Sequence, residues 1–157
     1  MHELAQSAVA LLKVRGLTVA TCESLTGGMI CSTMVDVPGA SSVVRGGLIT
    51  YQTDTKTLLA GVDAALIEAK GVVSGEVAEA MAEGVRTRLH VDIAVSATGM
   101  ASPGEVGDPP AGTVFVGVAS AKGVRAIPLK LVGSRMDIRR QTVQTALEAI
   151  LTEVKSW

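Results

Sequence analysis

Three side chains with reactive tips lie close together in the chain: Ser24, Tyr51 and Lys56. Ser24 belongs to Cys22-Glu23-Ser24-Leu25-Thr26-Gly27-Gly28, between a β-branched run (Leu17 to Thr21) and an apolar-periodic run (Met29 to Val35). Small and polar residues between a strand and a helix make a tight turn that aims backbone N–H groups at one point. The unpartnered N–H groups and the macrodipole of the helix start favour a phosphate, a carboxylate or a developing oxyanion there. Ser24 therefore has two readings, a nucleophile facing those donors or a hydroxyl that caps the helix. A nucleophilic serine needs a base. His2 sits at a terminus that frays, and His90 follows a helix as a surface or capping residue. With no histidine suited, the base that remains is a lysine whose pKa is lowered by burial or by a neighbouring cation. Lys56 follows the second strand closely, where it can meet the end of the first. Tyr51, the only tyrosine, ends that second strand and could relay a proton or orient Lys56. The plainer reading is an exposed lysine on a short helix and a core tyrosine with a wet tip.

One further stretch could line the same crevice. Thr98-Gly99 opens the longest segment without periodic pattern, running to Pro110, and long loops inside compact domains usually serve function or are disordered. Arg135, Arg139 and Arg140 fall in the first turns of the last helix, where they can hold a phosphate or form a solvated face. No His/Cys/Asp cluster has ligand spacing, so neither a metal nor a cofactor is expected.

The elements that must position these residues can be read from periodicity. Leu4, Ala5, Ala8, Val9, Leu11 and Leu12 predict a helix from His2 to Val14, stopped by Gly16. Strands are predicted over Leu17–Thr21, Val43–Tyr51, Val91–Ala97, Thr113–Ala119 and Val124–Val132, with Lys122-Gly123 as a hairpin turn and Pro128 marking an edge. Between the second and third strands come a short helix carrying Lys56, capped by Thr53 or Asp54 and ended by Gly61, and a second capped by Asp63 and reaching Glu68. Ser74 caps a longer one, Gly75–Leu89, with Val77, Met81, Val85 and Leu89 as its apolar stripe. Ser134 caps a last helix, Arg135–Lys155. Helices alternating with strands, then a hairpin, predict an α/β fold: a single three-layer α/β/α domain over residues 1–157 with a mixed sheet.

Composition narrows the function. Hydrophobic residues make up 48% of the 157 residues and aromatics only 2%, so aliphatic side chains must fill the core. A net charge of −1, no basic block and a single Trp, Tyr and Phe argue against nucleic acid as a partner. Charged residues and glycines interrupt every apolar run, so no membrane partner is expected. The N-terminus does not read as a signal peptide, and Cys22 and Cys31 look like small apolar residues in a reducing, cytoplasmic setting. The edge strand at Pro128 and the apolar surface suggest a homo-oligomer.

The motifs in order resemble a known family: Glu23-Ser24-Leu25-Thr26-Gly27-Gly28; Asp36-Val37-Pro38-Gly39-Ala40; Gly46-Gly47-Leu48-Ile49-Thr50-Tyr51 through Lys56; Thr98-Gly99-Met100-Ala101-Ser102-Pro103-Gly104; Gly112-Thr113-Val114; Arg139-Arg140. The set is similar to the C-terminal domain of the competence/damage-inducible CinA family over nearly the whole chain. That resemblance implies a metal-free amidohydrolase converting nicotinamide mononucleotide to nicotinate mononucleotide and ammonia in pyridine-nucleotide recycling. By position, Ser24 resembles the nucleophile, Lys56 its base and Tyr51 a proton-relay partner. The substrate contacts implied are Glu23, Thr26, Gly27, Gly28, Thr98, Gly99 and Arg139, with Thr26-Gly27-Gly28 supplying oxyanion or phosphate donors. The family usually has Cys where Leu25 stands and glycines where Ser102 and Glu105 stand, and Glu105 would repel a phosphate it faced. These departures imply altered substrate fit. A non-catalytic nucleotide-binding member and an amidase for another small carboxamide are the alternatives.

Overall fold

The computed structural model describes residues 1–157. A five-stranded sheet, in the order β2-β1-β3-β4-β5, separates two helical layers. The strands are β1 (Val19–Glu23), β2 (Val44–Ile49), β3 (Ile93–Gly99), β4 (Thr113–Ser120) and β5 (Gly123–Lys130). β1 pairs in parallel with β2 on one side and β3 on the other, whereas β4 and β5 run antiparallel. The mixed three-layer α/β/α domain expected from the element pattern is the one observed. β5 is an edge strand, and Pro128 stands within it opposite Phe115.

One face is covered by α1 (His2–Arg15), α2 (Met29–Val35) and α6 (Arg135–Lys155), and the other by α5 (Gly75–Leu89). Two short helices, α3 (Thr53–Ala60) and α4 (Ala64–Lys70), pack on α5. The core divides accordingly into a large aliphatic cluster under α1, α2 and α6 and a small one under α5. α3 comes so close to α5 that a side chain at Gly84 would land on the Ala60 carbonyl. That contact fixes the helix carrying Lys56.

Local chemistry sets the boundaries. Gly16 ends α1 in the left-handed conformation, which costs glycine little. Asp63, Ser74 and Ser134 cap α4, α5 and α6, and Asp137 completes a capping box at Ser134. All five strands depart from the expected limits, β4 by a single residue, ending at Ser120 rather than Ala119. β1 and β3 begin and end two residues later, because Leu17-Thr18 and Val91-Asp92 are spent on a junction. The Asp92 carboxylate accepts from Thr18 N (2.8 Å) and the Thr18 hydroxyl (2.9 Å). β2 stops at Ile49, leaving Thr50 and Tyr51 outside the ladder, and β5 is Gly123–Lys130 rather than 124–132. α4 runs on to Lys70, two residues past Glu68. Neither Thr53 nor Asp54 caps α3: Gln52 stands at that position, with no side-chain capping bond.

Candidate active site

Strand order places the site. From β1 the chain moves outward to β2, then returns to the opposite side of β1 to form β3. Such reversals open a crevice beyond the carboxyl ends of the strands. Ser24 follows β1 directly, and its N–H donates to the Ala97 carbonyl of β3 at 2.9 Å. Thr98 and Gly99 end β3. Thr50 leaves the end of β2 with its N–H on the Glu23 carbonyl at 2.8 Å. These ends surround a pocket of about 340 Å³ that Ser24, Tyr51, Lys56, Thr98, Ser102 and Arg135 help to line.

Ser24 and Lys56 meet at the floor. Lys56 Nζ lies 3.2 Å from Ser24 Oγ and donates to the Thr50 carbonyl at 2.7 Å. The lysine side chain is buried, with 1% exposure, and Ser24 keeps 8%. Burial pushes the Lys56 ammonium below the ordinary lysine value by withholding solvation from the charge. A Cys22 thiolate would oppose that shift. Burial, however, pushes the Cys22 thiol up to about 11, so at neutral pH it carries no charge that would hold Lys56 protonated. The exposed-lysine reading is thereby excluded.

The capping reading of Ser24 fails as well. Gly28 occupies the N-cap of α2. The carboxylate that serves the helix start belongs to Glu23, which accepts from Ile30 N (2.8 Å), Cys31 N (3.0 Å) and the Thr21 hydroxyl (3.0 Å). Glu23 was expected against the substrate; it is 1% exposed and turned away from the pocket, bracing the turn from below. Arg139 also departs from expectation. Its Nε donates to the Leu25 carbonyl (2.8 Å) and its Nη2 to the Thr26 carbonyl (3.2 Å), so it grips the outside of the turn rather than lining the pocket. Gly27 and Gly28 both adopt positive φ (57° and 99°), a region open to glycine at little cost.

The turn's donors are distributed differently from the expectation at Gly27. The Gly27 N–H is spent on the Ser24 carbonyl at 3.0 Å. The N–H groups of Leu25, Thr26 and Gly28 have no acceptor within the chain. The buried Thr26 hydroxyl also lacks a partner. Thr98 lines the pocket while its hydroxyl donates to the Val72 carbonyl (2.9 Å), tying the 71–73 connector to the end of β3. At Gly99 a Cβ would sit 2.7 Å from the Thr113 carbonyl, so no larger residue fits.

Tyr51 stands on the pocket wall, 56% exposed, and its hydroxyl accepts from Arg135 Nη2 at 2.9 Å; it makes no hydrogen bond to Ser24 or Lys56. Of the three arginines that open α6, it is Arg135 that reaches the pocket. Glu105 lies outside the pocket, its N–H held by the Asp108 carboxylate at 2.8 Å.

A strand-end serine beside a buried lysine, on a turn with unspent N–H donors, has the parts that nucleophilic catalysis requires. The model of the CinA C-terminal domain matches residues 1–154. The chain belongs to the CinA C-terminal domain family. A CinA-like protein of Frankia casuarinae is 41% identical over 142 residues, covering 90% of this chain and 33% of that protein. The chain thus spans about a third of the length of the curated CinA relatives it matches. Among solved structures, the competence/damage-inducible protein of Agrobacterium tumefaciens superposes with a TM-score of 0.92 at 34% identity, over 96% of this chain and 93% of that one. A CinA superfamily protein of Klebsiella pneumoniae gives 0.95 at 25% identity, over 99% and 98%. No helix of this CinA domain is long and apolar enough to cross a membrane.

Proposed function

We propose that this CinA domain is an amidohydrolase that converts nicotinamide mononucleotide to nicotinate mononucleotide and ammonia, with Ser24 as nucleophile and Lys56 as base. The observation that carries the reading is the buried Lys56 amine 3.2 Å from Ser24 Oγ at the floor of the pocket. A neutral amine there accepts the Ser24 proton while one of its own N–H groups stays on the Thr50 carbonyl. Ser24 Oγ bonds to the carboxamide carbon, and the carbonyl π pair moves to oxygen. The Leu25 N–H, which directly follows Ser24 on the pocket wall and has no acceptor within the chain, is the donor best placed for that oxyanion. One such donor is typically worth ~3 kcal/mol of barrier.

The C–N bond then breaks. The nitrogen takes the proton from the Lys56 ammonium and leaves as ammonia. Water adds to the Ser24 ester and passes its proton to Lys56; the C–Oγ bond breaks and the proton returns to Ser24. Tyr51 accepts from Arg135 and so keeps its own O–H proton free for a group bound in the pocket.

The test is ammonia release from nicotinamide mononucleotide by wild type and Ser24→Ala side by side. Release that vanishes in the variant, with the thermal midpoint preserved, supports both the activity and the nucleophile. A folded wild type that binds the nucleotide and releases no ammonia overturns the reading.

A further inference from the structure

Arg135 is the one lining residue whose charge lies free at the pocket mouth. It stands in the first turn of α6, whose capping box anchors that end of the helix. Its guanidinium spans the pocket opening: Nη1 donates to Ser102 Oγ at 3.1 Å, and Nη2 to the Tyr51 hydroxyl at 2.9 Å. Ser102 is in the loop after β3 and Tyr51 in the segment after β2, so one side chain joins the two walls. Both acceptors are neutral. The ion pairs of this chain are Arg86–Glu83 and Arg125–Glu153, and neither includes Arg135. No carboxylate lines the pocket, and its only other charged group is Lys56.

A guanidinium carries five N–H donors in a rigid fork that matches phosphate oxygens in pairs. Two hydroxyls use two of those donors and leave three. Holding the fork in place beforehand removes much of the ordering cost of binding. A concave site lined by cations alone also concentrates anions before contact.

We propose that Arg135 is the specificity-determining residue of this pocket, an anion receptor held by Ser102 and Tyr51 that seats the phosphate of a phosphorylated ribose ligand at the mouth. The proposal deepens the amidohydrolase reading, since it divides the pocket into a reacting floor at Ser24 and Lys56 and a phosphate seat at the mouth. Ser102 acts through Arg135 and is a positioning residue. Its substitution leaves the charge in place but removes one of the two anchors of the fork, leaving the Tyr51 hydroxyl as the other.

The test uses binding, so that it does not depend on turnover. Ribose 5-phosphate and ribose are titrated into ¹⁵N-labelled full chain followed by NMR, for wild type, Arg135→Met and Ser102→Ala. Both variants carry changes at surface or half-buried positions, and folding is checked on the same spectra. Wild type should prefer the phosphorylated sugar. Arg135→Met should lose about 10- to 100-fold of that preference, the range of a charge-assisted hydrogen-bonded contact, and Ser102→Ala a few-fold. A wild type without the preference, or an Arg135→Met that keeps it, overturns the proposal. Ammonia release from nicotinamide mononucleotide is measured on the same samples. Its absence beside an Arg135-dependent preference sinks the amidohydrolase reading alone; its presence with an unchanged preference in Arg135→Met sinks the phosphate seat alone.

Discussion

Glu23 offers the sharpest test of how the fold holds the site. Its carboxylate carries three hydrogen bonds, from Ile30 N, Cys31 N and the Thr21 hydroxyl, and it ties the end of β1 to the start of α2 across the turn bearing Ser24. In Glu23→Gln the shape is kept and one oxygen becomes an NH₂. The least costly orientation leaves the amide oxygen on Cys31 and Thr21 and points NH₂ at the Ile30 N–H. One charge-assisted bond of about 1.5–3 kcal/mol is lost, and two others fall to neutral strength at roughly 1 kcal/mol each. Relief from burying a charge returns part of this, so the net loss is about 2–4 kcal/mol. In a domain of this size each kcal/mol is roughly 2–4 °C, and the melting midpoint should fall by about 4–16 °C. The same substitution loosens the turn, so kcat for ammonia release should fall about 10- to 100-fold with KM changed less, because ångström displacements of a reacting group cost that much. Thermal unfolding by circular dichroism at neutral pH and steady-state kinetics measure the two effects. A Glu23→Gln midpoint within 1 °C of wild type refutes the bracing role outright.

Three other outcomes follow from the same geometry. Since burial lowers the Lys56 pKa below the ordinary lysine value, the neutral base becomes available as pH rises through that lowered pKa; kcat/KM should increase with pH over that interval, and a rate that falls instead contradicts the base assignment. Lys56→Arg should lower kcat by about 10²- to 10⁴-fold, because a guanidinium stays protonated and cannot accept the Ser24 proton; near-normal turnover would remove Lys56 from the mechanism. At Glu153, burial raises the carboxyl pKa, but the Ser120 hydroxyl and the Arg125 guanidinium outweigh it and hold the group below its ordinary value. The stability this contributes is present above the ordinary carboxyl pKa and lost as pH falls through the lower folded one, so the deficit of Glu153→Gln in thermal unfolding should be complete at neutral pH and shrink in acid; a deficit that grows as pH falls would reverse the sign of the coupling.

What could be read along the chain was whatever depends on neighbours. Caps at Gly16, Asp63, Ser74 and Ser134 are local devices and stand where the pattern puts them. The apolar stripe of α5 is local too, with Val77, Met81 and Val85 buried. Strand limits were not, because a side-chain junction 74 residues apart, Thr18 with Asp92, decides where β1 and β3 begin. Elimination brought Ser24 and Lys56 forward as a pair, since the chain has two histidines and neither is near the turn. The roles of the arginines were hidden for a physical reason. Arg135 and Arg139 sit one helical turn apart on the same element and have the same side chain. Only the packing of α6 decides that one reaches Tyr51, 84 residues away, and the other reaches Leu25, 114 residues away.

Depth then gives the two pocket cations opposite chemistry. Lys56, enclosed by β2, α3 and the turn, loses solvation and moves toward a neutral amine able to take a proton. Arg135, at the mouth, keeps its solvation and with it a permanent charge able to hold an anion. The two residue types are not interchangeable: an arginine at the floor would stay protonated and could not accept a proton, and a solvated lysine at the mouth would be a point charge without the planar fork that pairs with two oxygens. The placement of α3 against Gly84 and of α6 at its capping box therefore puts one basic side chain at the buried floor and the other at the exposed mouth, the depths that the proposed base and receptor roles require.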